Sequence, residues 1–281
     1  MSKALPRPLG VFLSGGGALG AWQAGALGAL LEDGVVFDEV MGFSIGAING
    51  AALAFGLMED AMLRWRSLDA GVMRLSPRLF PPSLFSDGPL RNFLAENPTE
   101  ASAAAELKIP LTVISACPAR GQAIYARFTP GGRDGWAGPL AEHVAASSAV
   151  PLIFPPVNLY FRGERLRLID GGVPQPTPMR FDALARCATV LVLEMVRADE
   201  VGRRPWNPWF AFDQAGRESA RRLIDEGVSS LLRAKHPPRV HRIAPSRRLD
   251  SVMLEFSARS ILPRLPMGAR DVRAYLAKSN D

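Results

Sequence analysis

Cysteine is scarce in this chain, which has 2 among its 281 residues, Cys117 and Cys187. Two cysteines so far apart are too few for a disulfide framework or a cysteine-based metal site. We therefore expect both thiols to be reduced and buried, and we expect no bound metal.

Long unbroken apolar runs are also lacking. Residues 9–31 and 40–58 carry no charge, but seven glycines interrupt the first run and four the second, and three prolines break residues 144–161. The apolar stretch before Ser14 is about five residues, shorter than the core of a signal peptide, and none of the three runs suits a membrane span. We expect neither a cleaved signal nor a membrane helix, and a cytoplasmic location.

Positive charge is unevenly distributed along the chain. Residues 1–196 contain 16 basic and 17 acidic residues, whereas residues 197–281 contain 17 and 10. Such a surplus suits an anionic membrane surface, although arginines on helix faces are commonly just solvated. A helix is predicted at 212–234, with Leu223, Val228, Leu231 and Leu232 facing a core. Its outward residues would be Arg217, Arg221, Arg222 and Arg233. The first three of these are the candidates for contact with the membrane. No aromatic-rich RNA-binding signature accompanies the charge, so we expect no nucleic acid partner.

The order of apolar segments indicates an α/β protein. Short apolar runs alternate with helical patterns, as parallel strands and crossover helices do. Strands are predicted at 9–14, 39–43, 109–116, 123–128 and 189–195, and a hairpin at 157–169. With 48% hydrophobic residues the chain can bury a core, and we expect one domain over 1–281, with a motif-bearing part at about 9–178 and a basic part at 197–281.

The strongest single motif is Gly42-Phe43-Ser44-Ile45-Gly46, between an apolar strand and an alanine-rich helix. This context is typical of a nucleophile elbow, in which a strained turn projects a serine hydroxyl from the end of a strand. The flanking Gly42 and Gly46 leave room for the crowded backbone. The sequence therefore predicts that Ser44 is a catalytic nucleophile.

A glycine-rich loop, Gly15-Gly16-Gly17-Ala18-Leu19-Gly20, follows the first predicted strand and has two interpretations. It matches a dinucleotide-binding pattern, with Asp38 or Glu39 about 20 residues beyond as the ribose-binding acid. It also suits an oxyanion hole, in which amides at a helix N-terminus hold a developing negative charge. The oxyanion interpretation accounts for both glycine motifs, because Ser44 follows the very next strand.

A serine nucleophile needs a base, and histidine is rare here. None of His143, His236 and His241 lies in a glycine-rich or strand-end setting. Asp170, by contrast, follows a predicted strand directly and precedes Gly171 and Gly172. A carboxylate can activate a hydroxyl when it is partly desolvated and within hydrogen-bond reach, so Asp170 is the candidate base.

At these three motifs the chain resembles the patatin-like phospholipases, a family of lipid acyl hydrolases. The resemblance covers about residues 9–178 and includes the segment Ala145–Pro151. It implies a central mostly parallel sheet flanked by helices, and a Ser-Asp dyad of Ser44 and Asp170. It also implies an oxyanion hole at Gly15, Gly16 and Gly17, with supporting glycines at 20, 42, 46, 171 and 172. No cofactor is implied, and the expected substrate is a lipid ester.

Two departures from the family pattern stand out. Leu19 occupies a position where many members have a basic residue, and Gln175-Pro176 stands where Asn-Pro is usual. Neither change removes a backbone amide from the oxyanion loop. Two other functions stay open at this point: a nucleotide-binding oxidoreductase that uses the Gly15–Gly20 loop, and a catalytically silent member that binds lipid or a partner.

Overall fold

The computed structural model describes residues 5–68, 75–79, 82–86, 88, 100–132, 135–200, 207–249 and 252–278. The strands are β1 Leu9–Leu13, β2 Glu39–Phe43, β3 Leu75–Arg78, β4 Ser83–Phe85, β5 Leu111–Cys117, β6 Gln122–Phe128, β7 Val157–Phe161, β8 Glu164–Asp170, β9 Thr189–Leu193 and β10 Arg239–Ile243. The helices are α1 Gly20–Glu32, α2 Ile45–Phe55, α3 Met58–Ser67, α4 Glu100–Glu106, α5 Leu140–Ser147, α6 Pro208–Leu232, α7 Ala258–Ile261 and α8 Arg264–Lys278.

Within these residues one large sheet has the strand order β10-β9-β1-β2-β5-β8-β7, and β6 also pairs with β5. Strands β10, β9, β1, β2 and β5 are mutually parallel, whereas β6 and β8 run antiparallel to β5. The expected α/β class with a mostly parallel central sheet is confirmed. Because the parallel strands point the same way, the glycine-rich loop after β1 and Ser44 after β2 emerge at the same edge.

Both faces of the sheet are covered, as the near-continuous apolar strands require. Alternate residues of β1 point to opposite sides: Val11 and Leu13 pack in one buried cluster with α1, and Phe12 packs in a second. That second cluster includes Leu223 and Ile224 of α6. The sheet therefore lies between two helical layers.

Helix α8 packs closely on α1 and so brings the C-terminal part of the chain to the N-terminal motifs. The Trp22 indole donates a hydrogen bond to Asp271 at 2.8 Å. A β-carbon on Gly25 would overlap the carbonyl of Leu265, and one on Gly268 would overlap the carbonyl of Trp22. Glycine at these two positions lets the helix backbones touch.

Most of the predicted elements are found within two residues of their expected ends. The hairpin strands are β7 and β8, and Asp170 is the last residue of β8 rather than the first residue beyond it. Residues 75–78 and 83–85 form β3 and β4 as a small antiparallel pair, while residues 71–74, 80, 81 and 87 lie outside the described residues. Cys117 and Cys187 are free and buried, as expected.

The expected faces of α6 are wrong at two positions. Arg217 is fully buried, not outward, because its guanidinium donates to Asp213 at 2.8 Å and to Glu200 at 2.6 Å. Leu232, placed in the core by the pattern, is 58% exposed. Two acidic partners within reach offset the cost of removing an arginine from water, and a helical pattern alone does not reveal them.

The other two arginines proposed for membrane contact are paired with acids as well. Arg221 contacts Glu194 at 2.7 Å, and Arg222 contacts Glu226 at 2.9 Å. Arg217, Arg221 and Arg222 therefore do not form one exposed basic face, and that candidate docking surface is wrong.

No helix in the described ranges is long and apolar enough to cross a membrane. The cytoplasmic location and the single domain over 1–281 stay predictions.

Candidate active site

Ser44 lies on a sharp turn between β2 and α2. Its φ of 56° and ψ of −133° are unusual for a residue with a side chain, and such strain is typical of a functional turn. A β-carbon on Gly42 would lie 2.7 Å from the Gly46 carbonyl oxygen, and one on Gly46 would lie 2.6 Å from that of Ser14. Only glycine fits on either side of the serine, which gives the physical reason for the motif.

Strand β5 brings Asp170 to Ser44. Ile114 of β5 pairs with Phe43, the residue before Ser44, and the next residue, Ser115, pairs with Asp170. The ends of β2 and β8 are thus one residue apart along the same strand. A β-carbon on Gly171 would overlap the Ile114 carbonyl, so this turn also needs glycine to approach β5.

The Asp170 carboxyl is enclosed and unevenly hydrogen-bonded. The Gly172 amide donates to Oδ1 at 2.6 Å, whereas Oδ2 is buried and accepts no hydrogen bond from the described part of the chain. Burial raises the pKa of Asp170 from 3.8 to about 6, and the nearby Ser44 hydroxyl and the Gly172 amide partly oppose this. Because no described group donates to Oδ2, this oxygen is left as an acceptor for a proton.

The loop Gly15–Gly17 lies against Ser44. A β-carbon on Gly15 would be 3.0 Å from the Ser44 β-carbon. The amides of Gly15, Gly16 and Gly17 donate no hydrogen bond to any residue that the structure describes, whereas the next two amides are engaged: Ala18 with Met253 at 2.6 Å and Leu19 with Gly16 at 3.1 Å. Three free amides beside a serine can stabilise an oxyanion.

Gly20 has a packing role behind this loop. A β-carbon there would overlap the side chain of Ile45, the residue after Ser44. Glycine at this position lets the start of α1 approach the start of α2, so the two helices can begin side by side.

The three motifs line one cavity of about 1060 Å³, whose walls include Ser44, Asp170 and Gly15–Gly17. Most of the remaining wall is apolar, with Phe55, Leu57, Trp65, Leu140, Val150 and Met253 among its residues. Phe85, the last residue of β4, and Ser86 after it also line the cavity. The cavity suits a long apolar substrate group next to a small polar reaction centre.

A sequence profile described as "Patatin-like phospholipase" matches residues 11–181, well over half of the chain. The chain belongs to the patatin-like phospholipase family. The match spans the glycine-rich loop, the elbow and the Asp-Gly-Gly turn, and residues 182–281 lie outside it.

Two relatives of this patatin-like chain are uncharacterised NTE family proteins of Mycobacterium tuberculosis. One is 32% identical over 173 residues, which cover 61% of this chain and 27% of the relative. The other is 30% identical over 174 residues, which cover 59% of this chain and 43% of the relative. The chain therefore matches less than half the length of either curated relative.

VipD from Legionella pneumophila has a similar fold. The two structures superpose with a TM-score of 0.50 at 14% sequence identity, over 98% of this chain and 68% of the VipD chain. At so low an identity the likeness concerns the fold alone. It supports the mostly parallel sheet with flanking helices.

Ser147, the last residue of α5, is a site residue of this patatin-like chain that sequence reasoning did not single out. The Ser44 amide donates to its hydroxyl at 2.9 Å and to its carbonyl oxygen at 3.1 Å. The same carbonyl accepts the Gly171 amide at 3.2 Å, and the hydroxyl donates to Ile114 at 2.6 Å. Ser147 thus joins the Ser44 turn to the Asp-Gly-Gly turn. Its position within the family-like segment Ala145–Pro151 was the available signal.

None of the three histidines lines the cavity as the described residues define it. His143 is buried in α5 with its Nε2 3.2 Å from the Ala137 carbonyl oxygen, and its ring packs edge-on against Phe128 and Phe161. His241 lies on β10 beside Tyr275. His236 lies between α6 and β10, outside both elements.

Proposed function

We propose that this chain is a serine hydrolase that cleaves carboxylic esters of lipids, of the phospholipase or lysophospholipase type. The observation that carries the proposal is the convergence of Ser44, the unpaired Oδ2 of Asp170 and three free amides on the wall of one apolar cavity. These are the nucleophile, base and oxyanion donors that acyl transfer needs.

In the first half of the reaction, the Ser44 hydroxyl attacks the carbonyl carbon of the ester. Its proton passes to Asp170 Oδ2, and the carbonyl oxygen becomes an oxyanion held by the amides of Gly15–Gly17. The bond to the leaving alcohol then breaks, and the protonated Asp170 returns the proton to that alcohol. The product at this stage is an acyl ester on Ser44.

In the second half, water replaces the alcohol. Asp170 takes a proton from the water as the water attacks the acyl carbonyl, and the same amides hold the second oxyanion. Collapse releases the fatty acid and gives the proton to the Ser44 oxygen. The scheme uses a carboxylate where serine hydrolases commonly use histidine, and the raised pKa of Asp170 makes that carboxylate a stronger base than an exposed aspartate.

The dinucleotide alternative lacks its ribose-binding acid. Glu39 begins β2 and pairs in register with Gly10, near the start of β1. The glycine-rich loop begins at Gly15, five residues after Gly10, so Glu39 lies roughly 16 Å from the loop along the strands. Asp38 and Glu39 are also engaged, with Arg7 and Arg127 respectively. A nucleotide on this loop would meet neither acid.

A fluorophosphonate probe tests the hydrolase proposal, because it reacts with an activated serine and leaves a covalent adduct. Wild-type protein should gain one adduct mapping to Ser44, and Ser44→Ala should gain none. Ser148→Ala is a matched control, since Ser148 lies on the same cavity and is as buried as Ser44, 8% exposed in each case. The control should still carry the label at Ser44. An unlabelled wild type would favour the catalytically silent alternative.

We propose further that the chain meets its lipid substrate through an apolar rim, in place of the arginine face. The rim consists of Leu75, Leu79, Leu84, Leu152, Trp209, Phe212 and Val252, all at least 37% exposed. Leu152, Trp209, Phe212 and Val252 also line the cavity of Ser44, and Leu152 shares a second hollow with Leu79 and Leu84.

Leu152 gives the rim its strongest support. It is 59% exposed and has a φ of 68°, a conformation that costs a residue with a side chain roughly 1–3 kcal/mol. The exposed side chain is unfavourable in water, and the strained backbone indicates that the surrounding structure holds the leucine in this position. A lipid surface over the cavity mouth would cover the leucine and present ester groups to Ser44 at the same time, whereas a protein partner there would block the mouth.

A further inference from the structure

Ala18 directly follows the three glycines with free amides, and both its main-chain amide and its carbonyl are hydrogen-bonded to other parts of the chain. The Ala18 amide donates to the carbonyl oxygen of Met253 at 2.6 Å. The Ala18 carbonyl accepts a hydrogen bond from Arg264 Nη1 at 3.0 Å, and Arg264 is only 4% exposed. Both contacts come from the part of the chain outside the family match.

Met253 is itself fixed by the buried charges of α6. Its amide donates to Asp213 Oδ1 at 2.7 Å, and Asp213 Oδ2 accepts from Arg217 Nε at 2.8 Å. Arg217 also reaches Glu200 at 2.6 Å and the Leu249 carbonyl at 3.3 Å. The arginine that the pattern placed in solvent therefore anchors the segment that holds Ala18.

The Met253 backbone also packs directly on the oxyanion loop. A β-carbon on Gly17 would overlap the Met253 carbonyl oxygen, and Gly17 has a φ of 55°. Because the Ala18 amide is already bound to Met253, it is not available as an oxyanion donor. The contact thus leaves the amides of Gly15, Gly16 and Gly17 as the candidate donors in this loop.

We propose that Arg264 and the Asp213–Arg217 pair, acting through Met253, are positioning residues that hold the Gly15–Gly17 amides in place for the oxyanion. The proposal rests on the proposed hydrolase function. An oxyanion hole works only when its donors are fixed before the charge develops, and a displacement of about 1 Å can cost about 100-fold in rate. Two buried charge contacts from a distant segment supply that fixation.

The test compares Arg264→Met with Arg273→Met. Both arginines lie on α8 and bond to the α1 region, but Arg273 pairs with Glu32 and Asp33 at the far end of α1 and does not touch the loop. With a water-soluble p-nitrophenyl ester, Arg264→Met should lower kcat at least about 10-fold with KM changed less than about 3-fold, because fixed donors act on the transition state. Arg273→Met should keep the wild-type kcat. Asp213→Ala should show the same signature as Arg264→Met.

Hydrogen exchange supplies a readout that does not depend on turnover. Amides in a peptide spanning Gly15–Gly20 should exchange faster in Arg264→Met than in wild type or Arg273→Met. Arg264→Lys keeps a charged donor, so it should recover part of kcat and part of the protection, and it replaces the methionine variant if that variant fails to fold.

A folded Arg264→Met variant with wild-type kcat would overturn the proposal. If its loop amides also exchanged faster than in the wild type, the contact of Arg264 with Ala18 would be purely structural. A wild-type protein without Ser44-dependent turnover would instead overturn the hydrolase function. The exchange comparison would then still decide whether Arg264 holds the loop.

Discussion

The main-chain amide of Ser44 is held by Ser147, whose hydroxyl and carbonyl oxygen lie 2.9 and 3.1 Å from the Ser44 nitrogen. The Ser44 amide is therefore engaged in this contact and is not available as an oxyanion donor. The elbow is fixed from the side of α5, and its strained φ is held by a residue 103 positions away.

Replacing Ser147 by alanine should loosen this support. Ser147→Ala keeps the carbonyl acceptor but removes the hydroxyl that bridges Ser44 and Ile114. The buried Ile114 carbonyl would lose the donor that Ser147 supplies, which should lower the free energy of unfolding by about 1–3 kcal/mol. We also expect kcat to fall about 10-fold, because a small displacement of a nucleophile is costly. Thermal melting and ester turnover check both effects, and an unchanged kcat would mean that Ser147 does not position Ser44.

The pH dependence of hydrolysis should report Asp170. The base must be ionised to accept the Ser44 proton, and its pKa is raised to about 6. We expect kcat/KM to fall about tenfold per pH unit below 6 and to level off above it, since only the ionised fraction reacts. A profile measured from pH 4.5 to 8.5 tests this. A kcat/KM that stays constant down to pH 4.5 would contradict the raised pKa of Asp170.

The same carboxyl should destabilise the folded chain at neutral pH. A pKa of about 6 in the folded protein, against 3.8 when unfolded, means that the folded state binds the proton more tightly. Stability therefore falls as the pH rises from 3.8 to 6 and stays lower above that. Asp170→Asn removes the buried charge and should raise the free energy of unfolding at pH 8 by about 3 kcal/mol, with little gain below pH 4. Denaturant titrations at the two pH values check this, and a loss of stability at pH 8 would contradict it.

Sequence patterns were sufficient for the features that depend on neighbouring residues. The elbow at Ser44, the strands β1 and β2 and the hairpin before Asp170 each follow from local apolar runs and glycine spacing. Arg217 could not be predicted in the same way, because its burial depends on Glu200 and on the segment around Leu249, which are distant in sequence. Ser147 was missed for a related reason. Its hydroxyl hydrogen-bonds to the Ser44 amide and the Ile114 carbonyl, and only the folded sheet brings these groups together.

The apolar rim can be tested with residues that do not line the cavity of Ser44. Leu75→Ser with Leu79→Ser removes two exposed leucines, 66% and 98% exposed, from the edge of the rim. This double variant should bind phosphatidylcholine vesicles at least about 10-fold more weakly, since each leucine that enters lipid contributes about 1.5–3 kcal/mol. Hydrolysis of a soluble ester should be unchanged.

Leu232→Ser is the control for that experiment. Leu232 is 58% exposed but lies at the end of α6, away from the rim. Its replacement should leave vesicle co-sedimentation unaltered. Equal vesicle binding by the double variant and the wild type would rule out the rim as the lipid contact.

The most direct measurement is turnover of a soluble ester by four variants assayed side by side: Ser44→Ala, Asp170→Asn, His236→Ala and His241→Ala. Loss of a nucleophile or of its base lowers kcat by about 1000-fold or more, so we expect that loss in the first two variants. The histidine variants should stay within a few-fold of wild type, because neither side chain lines the cavity of Ser44. A histidine variant as inactive as Ser44→Ala, or an Asp170→Asn variant that retains wild-type turnover, would contradict the Ser44–Asp170 dyad.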